Sequence, residues 1–237
     1  MSSLAIIGIR SGSQEVKDKN IKLFCGKPLV HWAIQVAKKS KKIDRVIVST
    51  DSEKYRDIVL ESGAEAPFLR PDSISKSESR EVDFIIHCLD WLKDNEGYVP
   101  NLFSRLAATS PLQLPDDVDR SIECLENDKR ATSSMVVSET SQPPLKALKM
   151  DDDNKYLINY FSEADKGVVN RQELIPAYFR SNVITTRVSN FLKTGEQIGK
   201  KSIKVEISDE RSIDINSELD FYLAEKIAEK FGLCLNN

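Results

Sequence analysis

The sequence predicts an α/β fold in which helices cover both faces of a mostly parallel sheet. Two apolar runs, residues 4–9 and 45–49, have the length and composition of strands that are buried on both faces. Segments with helical apolar spacing follow these runs, and the alternation continues to residue 137. Strands that alternate with helices in this way are typical of parallel sheets.

The elements of the first half follow from apolar spacing and from signals at their ends. Pro28 opens a helix that ends in a cluster of lysines, where the helix dipole favours cations. Ser52 caps the next helix and Gly63 ends it. The remaining predicted elements are a short strand at 66–69, a helix across 82–92, a strand at 102–108, a helix from Asp116 or Asp117, and a strand at 131–137.

The rhythm changes between residues 138 and 180. Pro143-Pro144 and the acidic triplet 151–153 interrupt this segment, and no amphipathic helix is evident in it. An excursion of this length is awkward in a compact domain unless it packs on something, and a partner subunit is one candidate. Strands are expected again at 178–186 and 204–207, and Ser217 with Asp220 forms a capping box for the last helix.

The composition limits the classes of partner. A chain of 237 residues has room for one large α/β domain, and its 34 basic and 37 acidic residues leave a net charge of −3. This balance gives no general attraction to nucleic acid or to an anionic membrane, so any anion site must be local. The first apolar stretch is too short for a signal peptide or a membrane span.

The cysteines indicate a reducing compartment. Cys25, Cys88, Cys124 and Cys234 lie far apart in the sequence and form no C-x-x-C pair. Four cysteines in a chain of this size do not make a disulfide framework, so we expect small buried hydrophobes and a cytoplasmic protein. With only two histidines, a structural zinc site is not expected.

A basic loop follows the first predicted strand. Arg10 and Lys19 lie just beyond its carboxyl end, where open α/β sheets bind ligands. The loop matches neither the P-loop nor the dinucleotide fingerprint, yet it combines cations with free backbone N–H groups, as a polyphosphate site requires. For Lys19 the alternative, a lysine that only solvates the loop, stays open. Arg10 favours a ligand, because a cation beside a buried strand is costly without a compensating anion.

Two further polar groups are candidates. Asp214 and Asn216 flank Ile215, so in a strand both would share one face and offer oxygen ligands to Mg²⁺; the alternative is a turn at the entry of the last helix. Arg171, Gln172, Arg180 and Asn182 form a polar cluster whose guanidinium groups suit a carboxylate. Surface ion pairs are the alternative for this cluster.

Together these segments resemble the acylneuraminate cytidylyltransferase family, the CMP-sialic acid synthetases. The resembling segments are IIGIRSGSQEVKDKNIK, GKPLVHWAIQVAKKSKKIDRVIVSTDSEKYRDI, GAEAPFLRP, ATSPL, PPLKALK, NRQELIPAYFRSN and SIDINSELDF, which occur in the family's order over nearly the whole chain. The resemblance implies a single Rossmann-like three-layer domain over residues 1–237. It also implies the coupling of CTP to a nine-carbon, or eight-carbon, 2-keto-3-deoxy sugar acid with release of pyrophosphate.

The resemblance also implies roles for particular residues. The implied nucleotide-binding residues are Arg10, Gly12, Ser13, Lys19, Asn20 and Arg70, of which Arg10 and Lys19 hold the phosphates. Arg171, Gln172, Arg180 and Asn182 match the sugar-acid region, and Asp214 and Asn216 match the family's Mg²⁺ ligands. Arg10, Lys19 and Asp214 are therefore the expected catalytic residues. Residues 138–180 match a dimerisation element, so a homodimer is expected, with neither nucleic acid nor membrane as a partner.

The chain departs from the family pattern at several positions. Gln14 replaces a lysine of the nucleotide loop, and Glu15 replaces a glycine. A glutamine that contacts the sugar acid falls at Ala107 or Ala108, Gln113 replaces an arginine, and Asn216 replaces a metal-binding aspartate. These departures leave two alternatives open. One is an unusual acceptor of the legionaminic, pseudaminic or octulosonic type, and the other is a catalytically weak nucleotide-binding homologue.

Overall fold

The computed structural model describes residues 1–12, 16–161 and 176–234, and its elements alternate as the sequence predicts. The strands are β1 (Ser3–Gly8), β2 (Leu23–Phe24), β3 (Lys27–Pro28), β4 (Arg45–Ser49), β5 (Leu102–Leu106), β6 (Ser133–Glu139), β7 (Leu148–Met150), β8 (Leu157–Asn159), β9 (Tyr178–Arg187) and β10 (Ser202–Glu206). The α-helices are α1 (Leu29–Lys39), α2 (Glu53–Glu61), α3 (Glu81–Glu96), α4 (Pro115–Asn127), α5 (Val188–Thr194) and α6 (Glu218–Lys230).

Six strands form the central sheet, in the order β10-β6-β9-β5-β1-β4. β1 runs parallel to both β4 and β5, and β10 runs parallel to β6. β9 is antiparallel to its neighbours β5 and β6. The carboxyl ends of the parallel strands therefore share one edge of the sheet, and the amino-terminal half of β9 reaches the same edge.

Helices cover both faces of this sheet, so the predicted α/β class is confirmed. α1, α2 and α4 contribute to the core on one face, while α3 and α5 pack against the other through residues such as Phe84 and Phe191. The Ser52 hydroxyl accepts a hydrogen bond from the Tyr55 N–H, and Ser217 and Asp220 form the predicted capping box. Among the described residues, no helix is long and apolar enough to cross a bilayer.

The predicted strand at 66–69 is wrong. Only one residue of this region, Glu65, makes a bridge to the sheet, through Ile47 of β4. Pro67 has no N–H to donate, so the ladder cannot continue past this point. Ala66 and Phe68 are nevertheless buried. Their apolar character comes from this burial and not from a strand, which explains the wrong prediction.

Between β6 and β9 the chain leaves the sheet. The described residues of this excursion contain no α-helix, and β7 and β8 pair in an antiparallel hairpin. Large apolar side chains on this hairpin and around it are exposed, namely Leu148, Met150, Tyr156, Leu157, Ile158, Tyr160 and Phe161.

A third apolar cluster joins the two-stranded β2–β3 ribbon to α6, and it overturns the prediction for two cysteines. The rings of Phe24 and Phe221 are 5.8 Å apart, centroid to centroid. This packing brings the Cα atoms of Cys25 and Cys234 to 5.1 Å, and the two residues form a disulfide. A separation of 209 residues hides this contact from any spacing rule. Cys88 is buried as expected, and burial raises the pKa of its thiol to about 12.

Candidate active site

A cavity of about 390 Å³ opens at the carboxyl end of β1. It is lined by Gly8, Arg10, Val16, Lys19, Asn20, Arg70, Ile74, Lys76, Ser79, Arg80, Glu81, Phe84 and Thr109. Five of these residues are basic and one is acidic, although the whole chain carries a net charge of −3. The cavity therefore concentrates positive charge where the rest of the protein does not, and a polyanion is the ligand class that it favours.

The loop after β1 is fastened at both ends. The Ser11 N–H and hydroxyl donate to the two carboxylate oxygens of Asp51, at 2.8 and 2.9 Å. Further along, the Tyr55 hydroxyl donates to Asp18 at 2.9 Å; burial, together with this carboxylate, raises the pKa of Tyr55. These bonds hold the two described ends of the loop, so that Arg10 and Lys19 line the cavity.

The predicted nucleotide-binding residues meet in this loop. Arg10, Lys19 and Asn20 line the cavity, and the Asn20 amide donates to the Arg10 carbonyl at 3.1 Å. Within the described residues, the Arg10 guanidinium has no hydrogen bond or ion pair, so it is available to a ligand. Gly12 lies in the loop with φ of +76°, a conformation that suits glycine. Ser13, and the departures Gln14 and Glu15, lie outside the described residues.

Lys19 connects this loop to the opposite wall. Its Nζ donates to the Ile215 carbonyl at 2.7 Å, and the Ile215 N–H donates to the Thr109 carbonyl at 2.8 Å. Ile215 is fully buried. Three loops that are distant in sequence are thus joined through one residue, and the predicted metal pair lies on either side of it.

Arg70 forms the floor of the cavity. Its Nε donates to the Ser49 hydroxyl at 3.0 Å, and its Nη2 donates to the carbonyls of Ser49 and Ile9. The guanidinium also lies 4.7 Å from the centre of the Phe84 ring. Burial, reinforced by the nearby Arg10, lowers the pKa of Arg70 to about 10. The carbonyls at the sheet edge therefore compensate part of the hydration that the buried Arg70 guanidinium has lost. An incoming anion would compensate the rest.

Gly8 allows α3 to approach the end of β1. A Cβ atom at this position would lie 2.4 Å from Cζ of Phe84, well inside van der Waals contact. The absence of a side chain at Gly8 therefore lets the Phe84 ring lie beneath the cavity, against Arg70.

Asp214 and Asn216 lie in a segment that is not a strand, so of the two alternatives that the sequence left open, the turn at the entry of the last helix is the one observed. The Asn216 amide Nδ2 donates to Asp214 Oδ2 at 3.0 Å, which confirms that the side chains lie together. The Asn216 N–H donates to Asp220 at 3.0 Å, as the alternative of a helix entry predicts. Asp214 Oδ1 is buried and has no hydrogen-bond partner among the residues that the structure describes. That unpartnered carboxylate oxygen fits a cation.

A full set of protein ligands is not present here. No group of three or more His, Cys, Asp or Glu side chains suited to a metal occurs in the part of the chain that the structure describes. Magnesium commonly takes one or two protein ligands and fills its other positions with water and substrate phosphates. Asp214 Oδ1 and the Asn216 amide oxygen are adequate for such a partial site.

The predicted sugar-acid residues fall partly outside the described ranges. Arg171 and Gln172 lie there. Arg180 is exposed, and its guanidinium has no partner among the described residues. Asn182, in contrast, is bound within the protein, because its Nδ2 donates to the Ser110 hydroxyl at 3.0 Å and its Oδ1 accepts from Arg105 at 3.3 Å. The structure thus presents Arg180 to solvent and turns Asn182 inward.

Sequence reasoning missed several residues of this region. Lys76, Arg80 and Glu81 line the cavity from the serine-rich segment and the first turn of α3. In the sequence, Lys76 and Arg80 are two cations in a polar loop, and such cations usually lie on the surface without binding a ligand. Arg105 was also missed, although an arginine inside the apolar run of β5 is unusual.

Comparison with known proteins decides the family. The family model described as cytidylyltransferase matches residues 4–229. The chain belongs to the cytidylyltransferase family. The N-acylneuraminate cytidylyltransferase of Escherichia coli is 28% identical over 227 residues, which are 96% of this chain and 52% of that protein. This chain therefore spans about half the length of that relative.

A second relative matches this chain over nearly the full length of both proteins. The CMP-N,N'-diacetyllegionaminic acid synthase of Legionella pneumophila is 27% identical over 241 residues, covering 97% of each protein. Among solved structures, a CMP:2-keto-3-deoxy-manno-octonic acid synthetase complexed with CTP superposes with a TM-score of 0.71. It covers 98% of this chain and 100% of its own at 13% identity, which shows the shared Rossmann-like cytidylyltransferase fold.

Proposed function

We propose that this cytidylyltransferase-family protein couples CTP to a 2-keto-3-deoxy sugar acid. The anomeric oxygen of the acid forms a bond to the α-phosphorus of CTP while the bond to the β-phosphate bridge breaks, giving a CMP-sugar and pyrophosphate. The hydroxyl proton leaves to water. The observation that carries the proposal is the cationic cavity at the end of β1, because such phosphoryl chemistry depends on positioning and charge stabilisation.

The cavity cations divide the work of holding CTP. The Arg10 guanidinium lines the cavity and has no partner among the described residues, so it binds the triphosphate and stabilises negative charge on the leaving pyrophosphate. Lys19 holds the loop on Ile215 and adds a second charge beside the phosphates. Arg70, fixed on the carbonyls of the sheet edge, is placed for the base end of the nucleotide.

Asp214 and Asn216 would hold Mg²⁺ in this proposal. The ion would neutralise phosphate charge and acidify the attacking hydroxyl. The support from this chain is the unpartnered Oδ1 of Asp214, beside the carbonyl that anchors Lys19. Glu81 is the one carboxylate of the described cavity wall, and it is ion-paired with Arg105, so we assign no general base.

Arg180 is the described residue best placed to bind the carboxylate of the sugar acid. Its guanidinium is exposed and has no partner in the described part of the chain, and a bidentate arginine contact would orient the acid for attack. Arg171 and Gln172 stay predicted contacts of the sugar acid. The names of the two relatives, for sialic and legionaminic acids, support a nine-carbon acid as the first choice.

A homodimer through the β7–β8 hairpin is part of the proposal. Leu157 and Tyr156 on this hairpin are 66% and 59% exposed, too apolar a surface for solvent alone. Phe179, near the start of β9, is a further exposed apolar side chain, at 61% exposure. Light scattering after gel filtration should give twice the chain mass for wild type and a monomer for Leu157→Glu. Leu192→Glu, at a leucine on α5 that is 58% exposed, is the matched control and should stay dimeric. A monomeric wild type would contradict the dimer.

CTP also suggests a location. It is a cytoplasmic metabolite, so the proposed reaction belongs in the cytoplasm. The Cys25–Cys234 disulfide argues against this location, because disulfides are uncommon in a reducing compartment.

The direct test is pyrophosphate release from CTP over a panel of sialic, legionaminic, pseudaminic and octulosonic acids, with Mg²⁺ and Mn²⁺ each supplied. Turnover with one acid, and none with UTP, would establish both reaction and acceptor. Calorimetric CTP binding with no product from any acid would instead favour a homologue that binds nucleotide without turnover. Asn216 is the residue that favours this second candidate, and Asn216→Asp should then raise turnover by completing the metal pair.

A further inference from the structure

Arg105 is a cation in the interior of the sheet. It lies on β5, between Leu102 and Leu106, and only 11% of its side chain is exposed. Burial lowers the pKa of Arg105 to about 10. A charge in such a place is kept only where specific partners compensate its lost hydration.

The partners of Arg105 come from two different elements. Its Nη1 donates to the backbone carbonyl of Asn182 at 3.2 Å and to the side-chain oxygen of the same residue at 3.3 Å. Its Nη2 forms an ion pair with Glu81, the first residue of α3 and a wall residue of the cavity. One guanidinium therefore joins the cavity wall to β9.

β9 is irregular at Asn182, the residue to which Arg105 donates its hydrogen bonds. Met135 of β6 pairs with Ile184, whereas Val137 pairs with Arg180, so β9 carries two extra residues between these pairs. Asn182 has φ of +23°, outside the regions that residues other than glycine prefer. Such a conformation persists only when its surroundings over-determine it. Arg105 supplies two of those constraints, and the Ala107 N–H, which donates to the Asn182 carbonyl at 3.2 Å, supplies a third.

The irregular segment separates Arg180 from the regular part of β9. Arg180 is the last residue before the extra ones, and its exposed guanidinium lies near enough to Arg105 to oppose its charge. Asp214, of the predicted metal pair, is also near and favours that charge. Arg105 is thus close enough to feel the charges of both Arg180 and Asp214, the residues proposed to hold the acceptor carboxylate and the metal ion.

We propose that Arg105 is a positioning residue for the acceptor sugar acid: by holding Asn182 and Glu81 together, it fixes the irregular segment of β9 that presents Arg180 to the substrate carboxylate. This inference rests on the proposed function. It requires no contact between Arg105 and the substrate, so the effect of removing Arg105 must reach the acceptor through β9.

The same strand offers a matched control. Arg187, at the opposite end of β9, also donates to main-chain carbonyls, those of Ala131, Leu125 and Asp128. It lies at the edge of the sheet away from the cavity. If both arginines, Arg105 on β5 and Arg187 on β9, only stabilise the sheet, their replacement should give the same kinetic result.

The experiment is steady-state kinetics of Arg105→Met, Arg105→Lys and Arg187→Met, with CTP and the acceptor varied in turn. For Arg105→Met we expect KM for the sugar acid to rise by about 10-fold or more, since a misplaced carboxylate clamp loses orientation. KM for CTP should rise much less, because Arg10 and Lys19 do not lie on β9 and only the unpaired Glu81 carboxylate would oppose the nucleotide. Arg105→Lys should recover part of the loss, and Arg187→Met should leave both KM values at the wild-type level.

If Arg105→Met does not fold, Asn182→Gly provides a second test. Glycine accepts the positive φ at this position, and the substitution removes the side-chain amide that accepts a hydrogen bond from Arg105. It should reproduce the rise in acceptor KM. Equal effects on both substrates, or equal effects of Arg105→Met and Arg187→Met, would overturn the inference. A wild-type protein that turns over no acid would overturn the proposed function instead, and this inference with it.

Discussion

Lys19 Nζ donates a hydrogen bond of 2.7 Å to the main-chain carbonyl of Ile215. The two residues are 196 positions apart, and the bond joins the loop after β1 to the segment that carries Asp214 and Asn216. The Ile215 N–H donates to the Thr109 carbonyl, so the loop after β1, the loop after β5 and the segment of Asp214 and Asn216 are joined through one residue. Nucleotide and metal sites that share this contact should respond together to its loss.

Loss of the Lys19 ammonium should weaken CTP binding. We expect Lys19→Met to raise KM or Kd for CTP by about 10- to 100-fold, the scale of a lost charge-assisted bond to phosphate. Lys22→Met is the control, since Lys22 also bridges to the α6 entry, through Glu218, but lies outside the cavity wall. Calorimetry with CTP measures both. Equal losses in the two variants would contradict a phosphate role for Lys19.

Asp214 should control the response to divalent ions. Asp214→Asn keeps the size of the side chain and removes its charge, so we expect kcat to fall by roughly 100-fold. The concentration of Mg²⁺ at half-maximal rate should rise as well, because the remaining ligands are neutral. Titration of Mg²⁺ at saturating CTP provides the measurement. Asp209→Asn, near the same segment but absent from the metal pair, should behave as wild type. An unchanged Mg²⁺ response in Asp214→Asn would remove this residue from the site.

Gly8 should tolerate no side chain. In Gly8→Ala the new Cβ would lie 2.4 Å from the Phe84 ring. We expect a loss of about 1–3 kcal/mol in the free energy of unfolding, the usual range for overpacking. Thermal denaturation measures it, and CTP affinity should fall too because Phe84 supports Arg70. The double variant Gly8→Ala with Phe84→Leu should recover part of the stability. An unaltered melting temperature for Gly8→Ala would show that α3 is not seated as described.

Thiol counts should distinguish the four cysteines. Without reductant, the denatured chain should present two free thiols, those of Cys88 and Cys124, and reduction should raise the count to four. In the native protein Cys88 should stay unreactive at pH 8, because its pKa of about 12 leaves almost no thiolate. Titration with a chromogenic disulfide reagent gives each number. Four free thiols in the denatured, unreduced chain would show that Cys25 and Cys234 are separate, as a cytoplasmic location predicts.

Sequence reasoning found the site residues that lie close together along the chain. Arg10, Lys19 and Asn20 follow one buried strand, so topology alone places them at the ligand edge of the sheet. Asp214 and Asn216 flank a single residue, and extended backbone was enough to put them side by side. Arg105 and Arg80 could not be found in this way, because their importance depends on α3 and β9 lying against β5.

The chain's local chemistry specified the α/β class, the caps at Ser52 and Ser217, and the cationic loop, because these depend on periodicity and on side chains within a few residues. Long-range packing decided the rest. The antiparallel course of β9, the inward turn of Asn182, the Lys19–Ile215 bond and the Cys25–Cys234 pair all join segments far apart in sequence. No local pattern encodes such contacts, since they exist only once the buried faces of distant elements have met.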